Sequence, residues 1–371
     1  MTEFKITDTK TEETKFLTTI KILGTGGTIA SKAESNTATS NYKVDLTVED
    51  LVNKIPDLPK DLDLKYKQLF NLDSKELSSS HLLILHNEIT QSYENEGIKN
   101  FVITHGTDSL EETAFFLDLT INFPDVVIVI TGSMRPSSNV SSDAIFNLYQ
   151  AIRVAAAPES KNRGVLVVLN DSIGSGFYIT KTNANSLDTF KSSGQAGFLG
   201  NFVHDAVHYY YPKSHPSKIH FKIDSAKLIR LLDLNYVDTK RRNELPEVSV
   251  FYNVQGFNPA LLQLAVDQIG TKAIVMATSG AGSLSTETNE ILKYIWEKYG
   301  IPVVYSKRSQ DGCVTAWSLP QYEDGKVSKG SIAGGYLNPQ KCRILMQLCL
   351  LQNYTVEQMK SVFETDGIFG G

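Results

Sequence analysis

The sequence predicts an α/β protein of two domains, a larger N-terminal doubly wound sheet followed by a smaller C-terminal parallel α/β domain. Three observations lead there. From Lys21 to Leu169 short β-branched runs alternate with amphipathic segments, the pattern of strands crossed over by helices. That regularity lapses between about Tyr211 and Glu247, and a second α/β series follows it. The chain's 371 residues exceed what one core usually organises, so on the order of two domains are expected.

Taken in order, residues 1–15 mix Lys5, Lys10 and Lys15 with Glu3, Asp8, Glu12 and Glu13 and read as a flexible arm. The N-terminal domain is expected over 16–212, with strands at Ile20 to Leu23, Tyr66 to Leu72, Phe101 to Thr104, Val126 to Thr131 and Gly164 to Leu169. Helices are expected at Val48 to Lys54, Ser80 to Glu94, Leu110 to Leu119 and Asp143 to Ala157, the first begun by a capping box of Thr47 and Asp50. Residues 213–247, with their prolines and the polar run Asp238 to Glu244, read as the linker. The C-terminal domain, 248–371, is expected to hold strands Val248 to Tyr252, Ala273 to Met276 and Pro302 to Ser306, helices Pro259 to Gln268 and Thr286 to Tyr299, and a closing helix from Asn338.

Composition narrows the function classes. With 41% hydrophobic residues and a formal charge of −5, no basic surface for nucleic acid is implied. The N-terminal arm has no apolar stretch that would serve as a signal or anchor, and later apolar runs fall far short of the roughly 20 residues a membrane helix needs. Cys313, Cys342 and Cys349 lack metal-ligand spacing; the last two stand seven residues apart on a predicted helix, about 10 Å of rise and beyond disulfide reach. Reduced thiols and a cytoplasmic location are the expectation. None of the seven histidines, His105, His204, His208 and His215 among them, has metal-ligand spacing on a recognisable element, and no metal or cofactor is expected.

Two threonine-rich segments carry chemistry: Ile22-Leu23-Gly24-Thr25-Gly26-Gly27-Thr28-Ile29-Ala30-Ser31 and Ile103-Thr104-His105-Gly106-Thr107-Asp108-Ser109-Leu110-Glu111-Glu112-Thr113. Each places a hydroxyl where a buried strand runs out, and open α/β sheets bind ligands beyond those carboxyl ends. Flanking glycines allow close backbone approach and leave amide N–H groups to face an oxyanion, which is equipment for hydrolysis. On this evidence Thr28 is either a nucleophile or a turn threonine bonding its own backbone. A dinucleotide fingerprint fails because Ile29 stands where its last glycine belongs, and Gly174 to Thr182 fails as a phosphate loop because Ser175 and Thr180 occupy both glycine positions.

Both segments resemble the signature motifs of the bacterial-type L-asparaginases, which hydrolyse asparagine to aspartate and ammonia. The resemblance extends over nearly the whole chain after the arm, through Ser40-Asn41-Tyr42, Gly132-Ser133-Met134-Arg135-Pro136, Thr180-Lys181-Thr182-Asn183 and Leu337-Asn338-Pro339-Gln340-Lys341. It implies a threonine nucleophile at Thr28 assisted by Tyr42, which the polar stretch Lys32 to Asn41 would carry as a mobile loop. It implies a second catalytic group of Thr107, Asp108 and Lys181. A carboxylate beside an ammonium favours the charged form, so Lys181 is assigned to the proton network and not as the base.

The resemblance further implies that Ser74 and Asp108 hold the α-carboxylate and α-amino group of an amino-acid substrate, that Ser133 lies where a backbone carbonyl meets the leaving amide, and that Glu323 reaches a neighbouring subunit's site in a homotetramer. Here the chain also departs from the common pattern. Lys75 stands where a neutral glutamine often contacts the carboxylate, Ala281 where an asparagine often lies, and Phe177-Tyr178 replace a more polar pair. These changes bear on substrate selectivity rather than on the reaction. The alternatives are a dual glutaminase-asparaginase and an ammonia-releasing subunit of a tRNA-dependent amidotransferase.

Overall fold

A computed structural model of the chain describes residues 17–38, 42–192, 196–215, 217, 219–230, 245–322 and 324–366. In chain order the N-terminal part contains β1 (Thr18–Gly26), β2 (Ser31–Ala33), β3 (Tyr42–Val44), α1 (Val48–Val52), β4 (Leu62–Leu72), α2 (Ser79–Glu96), β5 (Asn100–Thr104), α3 (Leu110–Thr120), β6 (Val127–Thr131) and α4 (Ala144–Ala156). It continues with β7 (Val165–Leu169), β8 (Ser172–Ser175), β9 (Ile179–Lys181), β10 (Phe190–Ser192), β11 (Gly200–Val203), β12 (Ala206–Tyr209) and α5 (Ser225–Arg230). The C-terminal part contains β13 (Val248–Tyr252), α6 (Ala260–Leu264), β14 (Ala273–Thr278), α7 (Thr286–Tyr299), β15 (Val303–Lys307), β16 (Ser331–Ala333), α8 (Pro339–Leu351) and α9 (Val356–Ser361).

The large sheet runs β12-β11-β8-β7-β6-β5-β1-β4, and the five strands from β7 to β4 are parallel. After β1 the chain crosses to β4 on one side and then to β5 on the other. The strand order therefore reverses about β1, where a crevice opens beyond the carboxyl ends and where such sheets bind ligands. The second sheet, β13-β14-β15-β16, is parallel throughout.

Side chains alternate across both sheets with period two. Ile20, Ile22, Val127 and Val129 join a core under α1 and α4, whereas Leu23, Ile128 and Ile130 face the opposite side with α2 and α3. Ile274 and Met276 pack with Leu292 and Ile295 of α7, while Ala273 and Val275 belong to the same core as Leu23 and Phe115. One apolar core thus spans both domains through α3 and α8, which pack on each other.

Most sequence-predicted elements recur with shifted ends. The capping box at Thr47 is formed, β4 begins at Leu62 rather than Tyr66, and α8 starts after Asn338, whose side chain accepts the Lys341 N–H. The segment predicted as one helix from Pro259 to Gln268 is α for one stretch only and closes with a π-helical turn, Ala265–Ile269, ended by left-handed Gly270. The antiparallel extension β8, β11 and β12 was not expected; its strands are too short for alternation to register. Within the stretch read as linker, α5 packs on α2, and residues 231–244 lie outside the described residues.

The turn after β1 depends on two glycines. Gly26 has φ +100°, and a β-carbon there would lie 2.4 Å from the Leu72 carbonyl oxygen. Gly27, at φ 82° and ψ −178°, occupies a region essentially closed to other residues, and a β-carbon there would lie 2.3 Å from the Gly106 backbone. Gly27→Ala is expected to lower the unfolding free energy by at least about 2 kcal/mol, since neither backbone can retreat. Chemical denaturation measures this directly, and a midpoint equal to that of the unaltered protein would show that the two turns are not locked together.

Candidate active site

At the strand-order reversal the ends of β1, β5 and β6, the loop after β4, and β9 come together. Thr25 Oγ1 donates to the Thr104 carbonyl at 2.8 Å, tying the last residues of β1 to those of β5. Two residues further on, Gly27 and Gly106 meet backbone to backbone, so the turns that carry Thr28 and Thr107, each following one of these glycines, are in contact. Thr28 is half-buried and Thr107 buried. Ser74 presses on the same point: a β-carbon at Gly106 would lie 2.6 Å from its Oγ. That hydroxyl is buried and makes no hydrogen bond among the described residues, while the Ser74 carbonyl accepts from Ser109 Oγ at 2.8 Å.

Lys181 closes the arrangement from β9, which pairs with β10. Its Nζ donates to Thr107 Oγ1 at 3.0 Å and to Asp108 Oδ1 at 2.6 Å. Thr107, Asp108 and Lys181 therefore form a contiguous hydrogen-bonded group. Gly132 approaches Thr107 from β6; a β-carbon there would lie 3.3 Å from Thr107 Cγ2 and 2.6 Å from the His105 carbonyl oxygen. Ser133 beside it is fully buried, with its Oγ donating to the Arg135 carbonyl at 2.7 Å.

The remaining predicted residues are placed as follows. Lys75 is exposed and paired with Asp73 at 3.0 Å, and that hydrogen bond and charge raise its pKa. The backbone of Tyr42 pairs with Ala33 in the short β2–β3 ladder, immediately after the Thr28 turn. The stem of that hairpin is held by the loop after β6, with Ser137 N and Oγ donating to the Ser31 carbonyl and Ser138 Oγ accepting from Ala33 N. Glu323 lies outside the described residues.

Several supporting residues escaped the sequence reading. Glu111, in the first turn of α3, is buried and accepts from the Lys181 backbone N–H, from Gln340 Nε2 and, at 3.0 Å, from Asn338 Nδ2. An acidic residue in a first helical turn reads from sequence as a dipole partner. Its true partners stand 70, 227 and 229 residues away, so no local signal reveals them. Asp143 accepts the Met134 and Arg135 N–H groups, and Asn147 Nδ2 donates to the Gly132 carbonyl, fixing the loop that carries Ser133. Beside Glu111, burial and that neighbour's charge push Glu112 up to about 7.

His105 is wholly buried, Nδ1 lying 2.8 Å from the Gly106 carbonyl oxygen and Nε2 2.9 Å from Thr113 Oγ1. A carbonyl only accepts, so Nδ1 carries the proton and Nε2 accepts from Thr113, giving a neutral ring that orients the Gly106–Thr107 peptide. Desolvation pushes its pKa down from 6.5 to about 4.

Comparison with known proteins decides the lineage. Residues 19–215 match the family described as Asparaginase, N-terminal, and residues 247–363 match the Glutaminase/Asparaginase C-terminal domain. The chain belongs to the asparaginase family. L-asparaginase 2-3 of Saccharomyces cerevisiae is 44% identical over 360 residues, spanning 97% of this chain and 93% of the yeast protein. L-asparaginase 2 of Escherichia coli is 39% identical over 351 residues, 94% of this chain and 93% of its own length. The crystal structure of a probable cytoplasmic L-asparaginase from Campylobacter jejuni superposes with a TM-score of 0.79 at 33% identity, covering 93% of this chain and 99% of the other. In this asparaginase-family chain the site draws on both matched regions, because Asn338 and Gln340 of the second hold Glu111 of the first.

The titration of His105 has a signed consequence. The ring protonates at about 6.5 in the unfolded chain and about 4 in the folded one, so the unfolded state binds the extra proton between these values. The His105 contribution to stability is present above pH 6.5 and is lost as pH falls from 6.5 towards about 4; His86, also lowered to about 4 by burial, acts in the same direction, and Glu112, raised to about 7, in the opposite one. His105→Gln is expected to remove about 1.4 kcal/mol per pH unit of that slope. Urea unfolding of both proteins between pH 6.5 and 4.5 tests it, and parallel stability curves would exclude a neutral buried His105.

Proposed function

We propose that this protein is an amidohydrolase that converts L-asparagine and water to aspartate and ammonia, with Thr28 as the nucleophile. The observation that carries the reading is the hydrogen-bonded group of Thr107, Lys181 and Asp108 set against the glycine contact that brings the Thr28 turn to the same point. The Thr28 hydroxyl, assisted by Tyr42, attacks the side-chain amide carbon. Backbone N–H groups of the apposed turns hold the oxyanion, and ammonia leaves with a delivered proton. Water, activated through Thr107 with Asp108 and Lys181 managing the proton, then releases aspartate.

Substrate binding follows from charge and burial. The unpartnered Ser74 hydroxyl and the Lys75 ammonium suit the α-carboxylate, Asp108 suits the α-amino group, and the backbone at Ser133 suits the leaving amide. Glutamine differs from asparagine by one methylene, a discrimination of only about 1–3 kcal/mol, so glutaminase activity is an accompanying reading. The purified protein is expected to release ammonia from asparagine. Thr28→Ala and Thr107→Val should each lower kcat by about a hundredfold or more with the thermal transition within a few degrees, and a variant keeping more than a tenth of normal kcat would remove that residue from the mechanism. Parallel assays on glutamine and D-asparagine set the substrate range.

We also propose a homotetramer in the cytoplasm, with sites completed between paired subunits by Glu323. In support, Trp317, Ile269 and Leu264 are 96%, 62% and 53% exposed, an apolar burden that a second copy would cover. Cys342 and Cys349 are buried free thiols, pushed up to about 12 by desolvation, and no helix among the described residues is long and apolar enough to cross a membrane. If sites are shared, refolding inactive Thr28→Ala and Glu323→Ala chains together should restore about one intact site per mixed pair. Activity that stays at the average of the two variants, with mixing verified, would place Glu323 in its own subunit or outside the site.

A further inference from the structure

We infer that Lys341, on α8 of the C-terminal domain, is a positioning residue that acts with Glu111 to set where Lys181 lies in the catalytic group. Lys341 is 2% exposed, and its ammonium donates to three backbone carbonyls of the N-terminal domain: Gly176 at 3.2 Å, Phe177 at 2.7 Å and Ile179 at 2.6 Å. An ammonium has three N–H donors and no acceptor, so this one is fully satisfied by a single short stretch of chain. That stretch is the turn leading from β8 into β9, and it ends two residues before Lys181.

The same helix start holds the next two residues. Asn338 Nδ2 donates to Thr180 Oγ1 at 3.1 Å and to Glu111 Oε1 at 3.0 Å, and Glu111 Oε2 accepts the backbone N–H of Lys181. From Gly176 to Lys181 the backbone is therefore gripped by Lys341, Asn338 and Glu111, and only the Lys181 side chain is left to reach Thr107 and Asp108. The grip is rigid because a shift of β9 along its axis would break several of these contacts together.

A buried ammonium is an expensive way to fill space. Desolvation pushes the Lys341 pKa down to about 8, opposed by the charges of Glu111 and Asp118 and reinforced by Lys307, with the Phe115 ring 5.3 Å from Nζ. It still carries its proton at neutral pH, when all three carbonyls are served. A methionine would suit the Phe115 ring beside it better but would leave the carbonyls of the turn unpaired.

This inference rests on the proposed role of Lys181, and a double-mutant comparison separates the two. Lys341→Met, Lys181→Met and the double variant are assayed for ammonia release from asparagine, with Lys341→Arg and Gln340→Leu alongside. Lys341→Met is expected to lower kcat at least tenfold with KM changed less than threefold, and to lower it less than twofold when Lys181 is already Met. Lys341→Arg should recover part of the loss, since its fork can still donate to the turn. Gln340→Leu, which removes one donor to Glu111 without touching the core, should lower kcat more than KM and keeps the test open if Lys341→Met fails to fold. An equal factor in both Lys181 backgrounds would make Lys341 a general prop of the fold and overturn the inference. Near-normal kcat in Lys181→Met would instead overturn the catalytic reading of Lys181, and the positioning role with it.

Discussion

Helix α3 is enclosed on every side, and the rest of the molecule is arranged around that enclosure. Every residue of it is buried except Glu112, which is half-buried, because the helix lies between the large sheet and α8. A helix buried all round must be apolar all round, and Phe115, Phe116 and Leu117 in succession meet that requirement, each contributing roughly 1.5–3 kcal/mol on full burial. The exceptions are the informative residues. Thr107 and Asp108 precede its N-terminus, where backbone N–H groups lack helical partners and favour negative charge, and Glu111 in its first turn collects donors from β9 and α8. The helix is thus both the hydrophobic bond between the domains and the mount for the hydrogen-bonded group of Thr107, Asp108 and Lys181.

What the sequence made legible follows from range. The parallel strands other than β16, their crossover helices and the closing helix at Asn338 were readable because their signals are local: alternation, capping and proline at a helix start. The convergence of the Thr28 and Thr107 turns was readable as well, since buried parallel strands that end in glycine and threonine have their ends on one edge of the sheet. β8, β11 and β12 were missed because four residues each give no periodicity. Glu111, Lys341 and Asn147 were missed for another reason. A buried polar side chain is defined by its partners, and these lie on other elements, so sequence shows only an ordinary charge or amide on a helix.

The same contrast separates the two lysines near the site. Lys181 keeps one face towards the crevice and shares its protons between a hydroxyl and a carboxylate, an arrangement suited to moving a proton. Lys341 spends all three N–H groups on carbonyls and has none for chemistry. One cation has a hydroxyl and a carboxylate as partners and the other only carbonyls, although both belong to one hydrogen-bonded region that runs from α8 through Glu111 to β9. Pre-organisation of this kind places the cost of ordering the Thr107, Asp108 and Lys181 group on folding.

Selectivity has to be sought at the other end of the substrate. Lys75 is exposed and its pairing with Asp73 is screened by water, so it can turn to an incoming α-carboxylate with little loss. An anchor at the α-carboxylate does not sense chain length, because asparagine and glutamine carry the same group. In the proposed binding mode the extra methylene is felt where the amide fits, at Gly132 and Ser133, and that loop is held by two N–H bonds to Asp143 and by the Asn147 amide on the Gly132 carbonyl. Gly132 already sits against the His105 carbonyl and the Thr107 methyl, so the loop cannot move inward, and three hydrogen bonds resist its moving outward. On the proposed placement of the amide, discrimination between asparagine and glutamine rests on the rigidity of a loop whose restraints lie on α4 and its N-cap.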